Sequence, residues 1–455
     1  MDRVGDRKNQ CETAMVRAAV RLRCNPLDFV GKTAAIGFMI NRRSFLGGTT
    51  LASAALAVPA LAQSTPAPAK KLKVGLIGAG GRGIGAVQDF HAAAAIVGCE
   101  VELTAVADAF ASQALLAGTH FQIAADRCFG GFDAYRKVLD SGCEFVIMAT
   151  PPCFRPLHFA AAVDAGKHCF IEKPVAVDPP GARSVIAIGE KAAAKGLSVV
   201  TGTQRRHMAR YLRNKALIDG GAIGEIRGGV VQWNGSVPWI KRRNDGESNA
   251  DYLARNWLNF AEMSGDIIVE QHIHNLDVAV WFLGRLPVSA VGMGGRARRE
   301  TGNQFDFFSV DYDFGNEVHI HSQCRQLAGS YQRVGELFTG SRGWCLGSGK
   351  LEGSEVAVPE IRVDSDNGMV QEHVDLIRSV LNGQPLNHAR RIAEVTLVAI
   401  MGRISAYTGQ MVRWSDVADD ERSPFYHLAC RPTAAEFESG EVTLPVEQPP
   451  VPGSA

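Results

Sequence analysis

The chain carries almost no excess of charge: 48 lysines and arginines stand against 47 aspartates and glutamates, a formal net charge of +1. That balance supports neither nucleic acid nor an anionic membrane as the main partner. None of the cysteines forms a Cys-x-x-Cys pair or falls at zinc-ligand spacing, and those from Cys99 to Cys430 read as small buried hydrophobes. No internal repeat is found. The apolar run Thr49 to Leu61 is too short and too alanine-rich for a membrane span. Glycine, in contrast, is abundant, at 48 of 455 residues, which fits an α/β protein with many tight turns. The length suggests two to three domains.

The N-terminal part separates from the fold. Asn41-Arg42-Arg43-Ser44-Phe45-Leu46-Gly47 precedes the apolar run, which ends in Ala60-Leu61-Ala62 before Gln63. An arginine pair, a modest hydrophobic region and an Ala-x-Ala ending, in that order, read as a twin-arginine export signal. Residues before Met39 are basic and unpatterned, and Met39-Ile40-Asn41-Arg42-Arg43 has the form of an ordinary signal start, so translation is expected to begin at Met39. The reading is a leader over 1–62, a Pro/Ala-rich linker over 63–70 and an exported, periplasmic or extracytoplasmic mature chain with no membrane span after cleavage.

From residue 71 the pattern becomes regular. Short apolar runs at Lys73–Ile77, Val101–Ala107, Phe145–Ala149, His168–Ile171 and Ser198–Thr201 alternate with helix-like stretches. This predicts a doubly wound parallel sheet of the Rossmann type over 71–203. From about Gln204 the texture changes to β-branched, alternating runs at 229–233, 288–293, 307–314, 317–321 and 335–338, with a helix at 272–283 and late helices at 371–381 and 392–408. A second α/β domain with an open, mostly antiparallel sheet is expected over 204–415, followed by a tail over 416–455.

Gly78-Ala79-Gly80-Gly81-Arg82-Gly83 matches Gly-x-Gly-x-x-Gly. The match gains weight because it follows a strand and opens a helix. Gly78 permits a tight turn, Gly80 lets the backbone approach a pyrophosphate, and Gly83 allows close helix–sheet packing. Asp108 ends the next strand, where a carboxylate accepts from a ribose 2′-hydroxyl and repels a 2′-phosphate. Ala109 and Phe110 follow it, with no adjacent arginine. NAD is therefore favoured over NADP.

Three further motifs appear in order: Thr150-Pro151-Pro152 ahead of His158, Glu172-Lys173-Pro174 after the next strand, and Thr203-Gln204-Arg205-Arg206 opening the second domain. With the glycine motif they make the chain resemble the Gfo/Idh/MocA oxidoreductase family, over almost all of residues 70 to 415. The exported members, such as glucose–fructose oxidoreductases and NAD-dependent glycosidases, are the most similar in organisation. The resemblance implies a Rossmann domain, a C-terminal open-sheet domain, action on sugars or related polyols, and homodimers or homotetramers built through that sheet. It also implies nucleotide contacts from Arg82, Thr150, Pro151, His158, Glu172 and Lys173. Against the family's Asp-x-x-x-His-x-x-Asp pattern the chain has Glu270-Gln271-His272-Ile273-His274-Asn275-Leu276-Asp277. His274 then corresponds to the catalytic histidine, and Glu270 replaces the aspartate with a longer carboxylate.

Alcohol oxidation needs a proton acceptor and a hydride acceptor. On this reading Lys173 stands near the nicotinamide and favours the alkoxide by its charge, and His274, with an ordinary pKa near ~6.5, takes the proton. Glu270, four residues earlier, reaches His274 if both lie on one helical face. Gln204, Arg206 and His272 are expected at the substrate pocket, with Arg206 at its mouth. The stretch 233–257, rich in tryptophan and hydrogen-bonding residues and including Trp257, suits carbohydrate recognition. His272 and His274 beside Glu270 supply no third metal ligand by spacing, so no metal site is assigned.

Two alternatives remain at this stage. One is a glycoside hydrolase working by oxidation and elimination, and the other a non-catalytic NAD-binding sugar sensor.

Overall fold

The computed structural model describes residues 69–453; the arginine pair, the apolar run and nearly all of the linker lie outside the described residues. Six strands, β1 (Lys71–Ile77), β2 (Glu100–Asp108), β3 (Cys128–Gly130), β4 (Phe145–Met148), β5 (His168–Ile171) and β6 (Val199–Thr201), form one sheet in the order β3-β2-β1-β4-β5-β6. Every pairing in it is parallel. The order reverses between β1 and β4, and such a switch point opens a crevice at the carboxyl ends of the strands.

Side-chain alternation divides the core between the two faces of this sheet. In β4, Phe145 and Ile147 join Leu72, Val74, Val87 and Phe90 on one face. Val146 and Met148 point the other way, to Phe159, Val163 and Val185. The first face is covered by the helix Gly81–Ile96 and by a helix from far along the chain, Gly368–Leu381, which contributes Val370, Val374 and Ile377. The ring of His373 on that late helix lies 5.7 Å from Phe90 and 4.1 Å from Phe170. The nucleotide-type sheet is thus completed by residues far beyond its own last strand in sequence.

The second sheet has eight strands. They are β7 (Ile226–Gly235), β8 (Ser289–Gly295), β9 (Phe307–Asp313), β10 (His319–Gln326), β11 (Arg333–Gly340), β12 (Trp344–Cys345), β13 (Leu351–Glu352) and β14 (Val412–Arg413). Their order is β13-β12-β11-β7-β10-β9-β8-β14. β7 and β10 run parallel and the remaining pairs antiparallel, so the sheet is mixed but mostly antiparallel, as expected from the sequence. Strands β8 and β9 alternate buried with more exposed side chains, the mark of a sheet with one covered face. Two helices pack on the covered face, Ile273–Leu283 and Ala389–Thr408. Among the described residues no helix is long and apolar enough to cross a membrane.

Candidate active site

The glycine loop is built by close packing. The chain turns at Gly78 with φ of +92°, and a Cβ there would stand 2.6 Å from the backbone nitrogen of Thr150. A Cβ on Gly83 would stand 1.9 Å from the carbonyl oxygen of Gly78, so the helix Gly81–Ile96 approaches the turn more closely than any side chain allows. Gly80 and Gly81 face open space, with nothing within 4 Å of an added Cβ. That bare backbone at the N-terminus of a 16-residue helix is what a pyrophosphate needs. Asp108 ties the loop to the end of β2: its Oδ2 accepts from the Ala79 N–H at 2.8 Å and its Oδ1 from the Phe110 N–H at 3.0 Å. Burial raises its pKa above the ordinary carboxylate value, opposed by these two bonds.

These groups line a cavity of about 620 Å³, together with Arg82, Thr150, Pro151 and His158. His158 is buried, with Nδ1 3.2 Å from the Thr150 hydroxyl. Burial and the fields of Arg155 and Arg136 lower its pKa to about 3, so the ring is a neutral wall. Arg82 lines the cavity, but its guanidinium turns inward to Glu172 at 2.5 Å and Asp89 at 3.0 Å. Burial works against that charge, and Glu172 and Asp89 outweigh it. Glu172 is therefore buried beneath the loop and brace-paired with Arg82, not presented to a ligand.

The opposite wall comes from the second domain. Trp239, Lys241, Arg255 and Trp257 close the cavity, with the two indoles edge to face at 6.1 Å. Trp257, expected at the sugar, stands instead in the wall of the nucleotide cavity. The tail reaches the same place. Phe437, fully buried, packs 5.0 Å from Phe132 and 4.9 Å from Phe154, both cavity residues, and Glu438 accepts from the Tyr135 hydroxyl at 2.9 Å and from Arg136 at 2.7 Å. No local signal marks this contact, because the partners lie about three hundred residues apart.

Lys173 donates to Glu270 twice, to Oε1 at 2.8 Å and to the backbone carbonyl at 2.5 Å. Both side chains are largely buried, 14% and 12% exposed. Among the described residues no hydrogen bond joins Glu270 to the His274 ring, and the chain geometry between them differs from a helix. In a continuous helix the Glu270 carbonyl would accept the His274 N–H; here helical structure stops at Glu270 and restarts at Ile273, and the lysine takes that carbonyl. Glu270 is thus the counter-charge of Lys173. His274 is buried with its ring stacked on Trp233 at 5.7 Å. Burial and then the positive fields of Lys173, Arg205 and Arg82 push its pKa well below the ordinary histidine value. A residue missed by sequence reasoning braces this element: buried Arg155 donates through Nη1 to the Pro174 carbonyl.

Three residues expected at the substrate lie outside the lining of the nucleotide cavity. His272 is fully buried, its Nε2 2.7 Å from the Ser322 hydroxyl, and burial with Arg205 lowers its pKa to about 3. It packs under the site and offers nothing to a ligand. Arg206 is held by Asp277 through bonds of 2.8 to 3.0 Å and lies 5.0 Å from the Trp281 ring, so it locks the turn 204–207 to the helix that carries His274. Gln204 opens that turn with its carbonyl against Gly368, away from the nucleotide cavity. The neighbouring Arg205, not singled out in sequence, forms a buried ion pair with Glu336, which also accepts from Asn275 at 2.7 Å.

Buried neutral histidines make stability depend on pH. His158 and His272 fall to about 3 on folding from an ordinary 6.5, so the unfolded chain binds more protons between those values. Their contribution is complete above pH 6.5 and is lost as pH falls toward 3. The thermal midpoint is expected to decline from pH 6.5 downward, with a shallower decline in a His272→Gln variant; identical slopes in the two proteins would refute this cause.

Comparison with known proteins agrees with this architecture. Residues 72–201 match a family described as an oxidoreductase family with an NAD-binding Rossmann fold, and residues 211–345 match the GFO/IDH/MocA C-terminal domain. Together the two cover more than half of the chain. An inositol 2-dehydrogenase of Rhizobium meliloti is 26% identical over 273 residues, 58% of this chain and 72% of that one. Among solved structures, a myo-inositol 2-dehydrogenase from Lactobacillus plantarum superposes with a TM-score of 0.59 at 20% identity, covering 76% of this chain and 99% of that one. A levoglucosan dehydrogenase in complex with NADH and levoglucosan gives 0.58 at 16% identity, over 76% and 99%. At those identities the structures speak for the fold.

Proposed function

Because this chain belongs to the Gfo/Idh/MocA oxidoreductase family, we propose that it oxidises a secondary alcohol of a sugar or glycoside with an NAD that stays bound between turnovers. The observation that carries this reading is the Lys173–Glu270 pair, with His274 under the lysine's field, in a chain whose glycine cradle fits a dinucleotide. Bound NAD supplies the hydride acceptor. Lys173 supplies a fixed positive charge that stabilises a substrate alkoxide, and Glu270 holds its ammonium in place. His274, kept neutral, offers a ring nitrogen to the hydroxyl proton. Trp233 stacks on that ring and fixes its plane.

Retention is supported by the cover over the cavity: Trp239 and Trp257 form its wall, and the buttress of Phe437 joins it from behind. It also suits a chain with a twin-arginine leader, since free NAD is scarce outside the cytosol. Under that constraint the cycle is redox-neutral, with a second carbonyl, or a later step on the same glycoside, returning the hydride. The relative named as an inositol 2-dehydrogenase supports a cyclic polyol as substrate.

The test is to purify the chain from Gln63 onward without added nucleotide, denature it and identify what is released. Close to stoichiometric NAD or NADH is expected. An empty protein that binds added NAD would overturn retention and leave an ordinary dehydrogenase; neither nucleotide nor binding would overturn the reading altogether.

A further inference from the structure

A second hollow, of about 480 Å³, lies between the turn 204–207, the helix Gly368–Leu381 and the start of the helix Ala389–Thr408. It shares no lining residue with the nucleotide cavity. Its walls are rich in cations, and nearly all of them are matched. Arg206 faces Asp277, Arg378 faces Asp364 at 2.6 Å, Arg362 faces Glu360 at 2.7 Å, and His207 faces Asp375 at 2.5 Å.

Arg391 is the exception. Among the described residues no carboxylate lies within ion-pair distance of it, its Nη2 donates only to the Thr203 hydroxyl at 3.1 Å, and its Nε is buried with no partner. Two more buried nitrogens on the same wall lack partners, Nδ1 of His388 and Nε2 of His207, on rings 5.9 Å apart. His207 itself is only 6% exposed. Arg391 sits in the first turn of a 20-residue helix whose N-cap residue, His388, makes no capping bond. The unmatched guanidinium and the positive end of a long helix therefore coincide at one hollow.

Burying a guanidinium without a paired carboxylate is unfavourable, and Asp277 and Glu372 act on Arg391 only through their fields, from beyond ion-pair distance. We propose that this hollow is a binding site for the oxyanion of a small metabolite, a phosphate or carboxylate group held by Arg391 and the N-terminus of the helix Ala389–Thr408. The planar fork of arginine presents paired N–H donors in the geometry that such groups accept. The hollow exceeds the size of a free phosphate, which leaves room for a polar body attached to the anion, toward the exposed Arg362 and half-exposed Arg378 at the rim. The site lies against the junction of the two domains, since Thr203 follows the last strand of the first sheet and Arg206 is tied to the helix that carries His274.

The experiment is calorimetric titration of inorganic phosphate into the protein saturated with NAD, so that the glycine cradle is already filled, at constant ionic strength. Saturable binding is expected, and Arg391→Gln should weaken it about tenfold or more. Arg422→Gln, which removes an exposed arginine paired with Asp420 and outside the hollow, should change it by no more than about twofold. If Arg391→Gln does not fold, Arg391→Lys keeps the charge and loses the fork, and a several-fold loss is expected. Repeating the titration with succinate separates a phosphate site from a carboxylate site, and saturable, Arg391-dependent binding of either supports the proposal. Absence of saturable binding of both to the wild-type protein, or binding that Arg391→Gln leaves unchanged, overturns it.

Discussion

Lys173→Met is expected to lower kcat for polyol oxidation by about a thousandfold, within the range for losing a group that acts on the proton or charge of a reacting centre. Nucleotide content should be unchanged, because the lysine touches Glu270 and none of the groups that cradle the dinucleotide. The variant should also lose stability. Lys173 and Glu270 are mostly buried, and removing one partner leaves a carboxylate without its counter-charge, which costs about 3–5 kcal/mol in fully buried pairs. Lys173→Met/Glu270→Gln then separates the two effects: the thermal midpoint should recover toward wild type and the activity should not. Single-turnover reduction of bound NAD, followed by absorbance alongside thermal melts, measures both. Wild-type turnover in Lys173→Met would remove the lysine from the chemistry, and recovery of turnover in the double variant would assign the loss to misfolding.

The glycine loop gives the second large effect, and it divides folding from binding. Gly83→Ala places a methyl carbon 1.9 Å from the Gly78 carbonyl oxygen, which is backbone and has nowhere to go. The turn or the helix must shift, at a cost of about 1–3 kcal/mol typical of overpacking, and the cradle shifts with it. Both the thermal midpoint of the nucleotide-free protein and its NAD content should fall. Gly80→Ala meets nothing within 4 Å, so the nucleotide-free protein should melt as wild type does, while NAD affinity drops because the methyl occupies the approach to the helix N-terminus. Equal behaviour of the two variants in melting and in released nucleotide would contradict the division.

Local order made much of this protein legible in its sequence. A Gly-x-Gly-x-x-Gly run between a period-two apolar stretch and a helix has few structural meanings, since steric limits at Gly78 and Gly83 are properties of a short segment. Asp108 follows from the same logic, one strand further on. The mostly antiparallel character of the second sheet showed in its alternating β-branched runs, and both catalytic candidates from the motifs, Lys173 and His274, lie in one electrostatic neighbourhood. The neighbours of these groups were less legible. A four-residue spacing predicts that Glu270 and His274 share a helical face, but the helix is interrupted between them and Lys173, 97 residues away, bonds the Glu270 carbonyl. Arg206 reads as a substrate ligand, and only the structure shows that Asp277 holds its guanidinium.

The sequence by itself determined the alternation of strands and helices and the nucleotide loop with its acid, and it marked the candidate side chains for the chemistry, because each depends on contacts within a few residues or on motifs that steric and electrostatic rules confine. Tertiary structure alone decided who stands beside whom. It brought Gly368–Leu381 back to cover the first sheet, set Trp257 and the tail's Phe437 around the nucleotide cavity, buried His272 and left Arg391 without an ion-pair partner among the described residues. Those pairings join segments tens to hundreds of residues apart, where burial of apolar surface and matching of charge act through the whole fold, and no spacing along the chain records them.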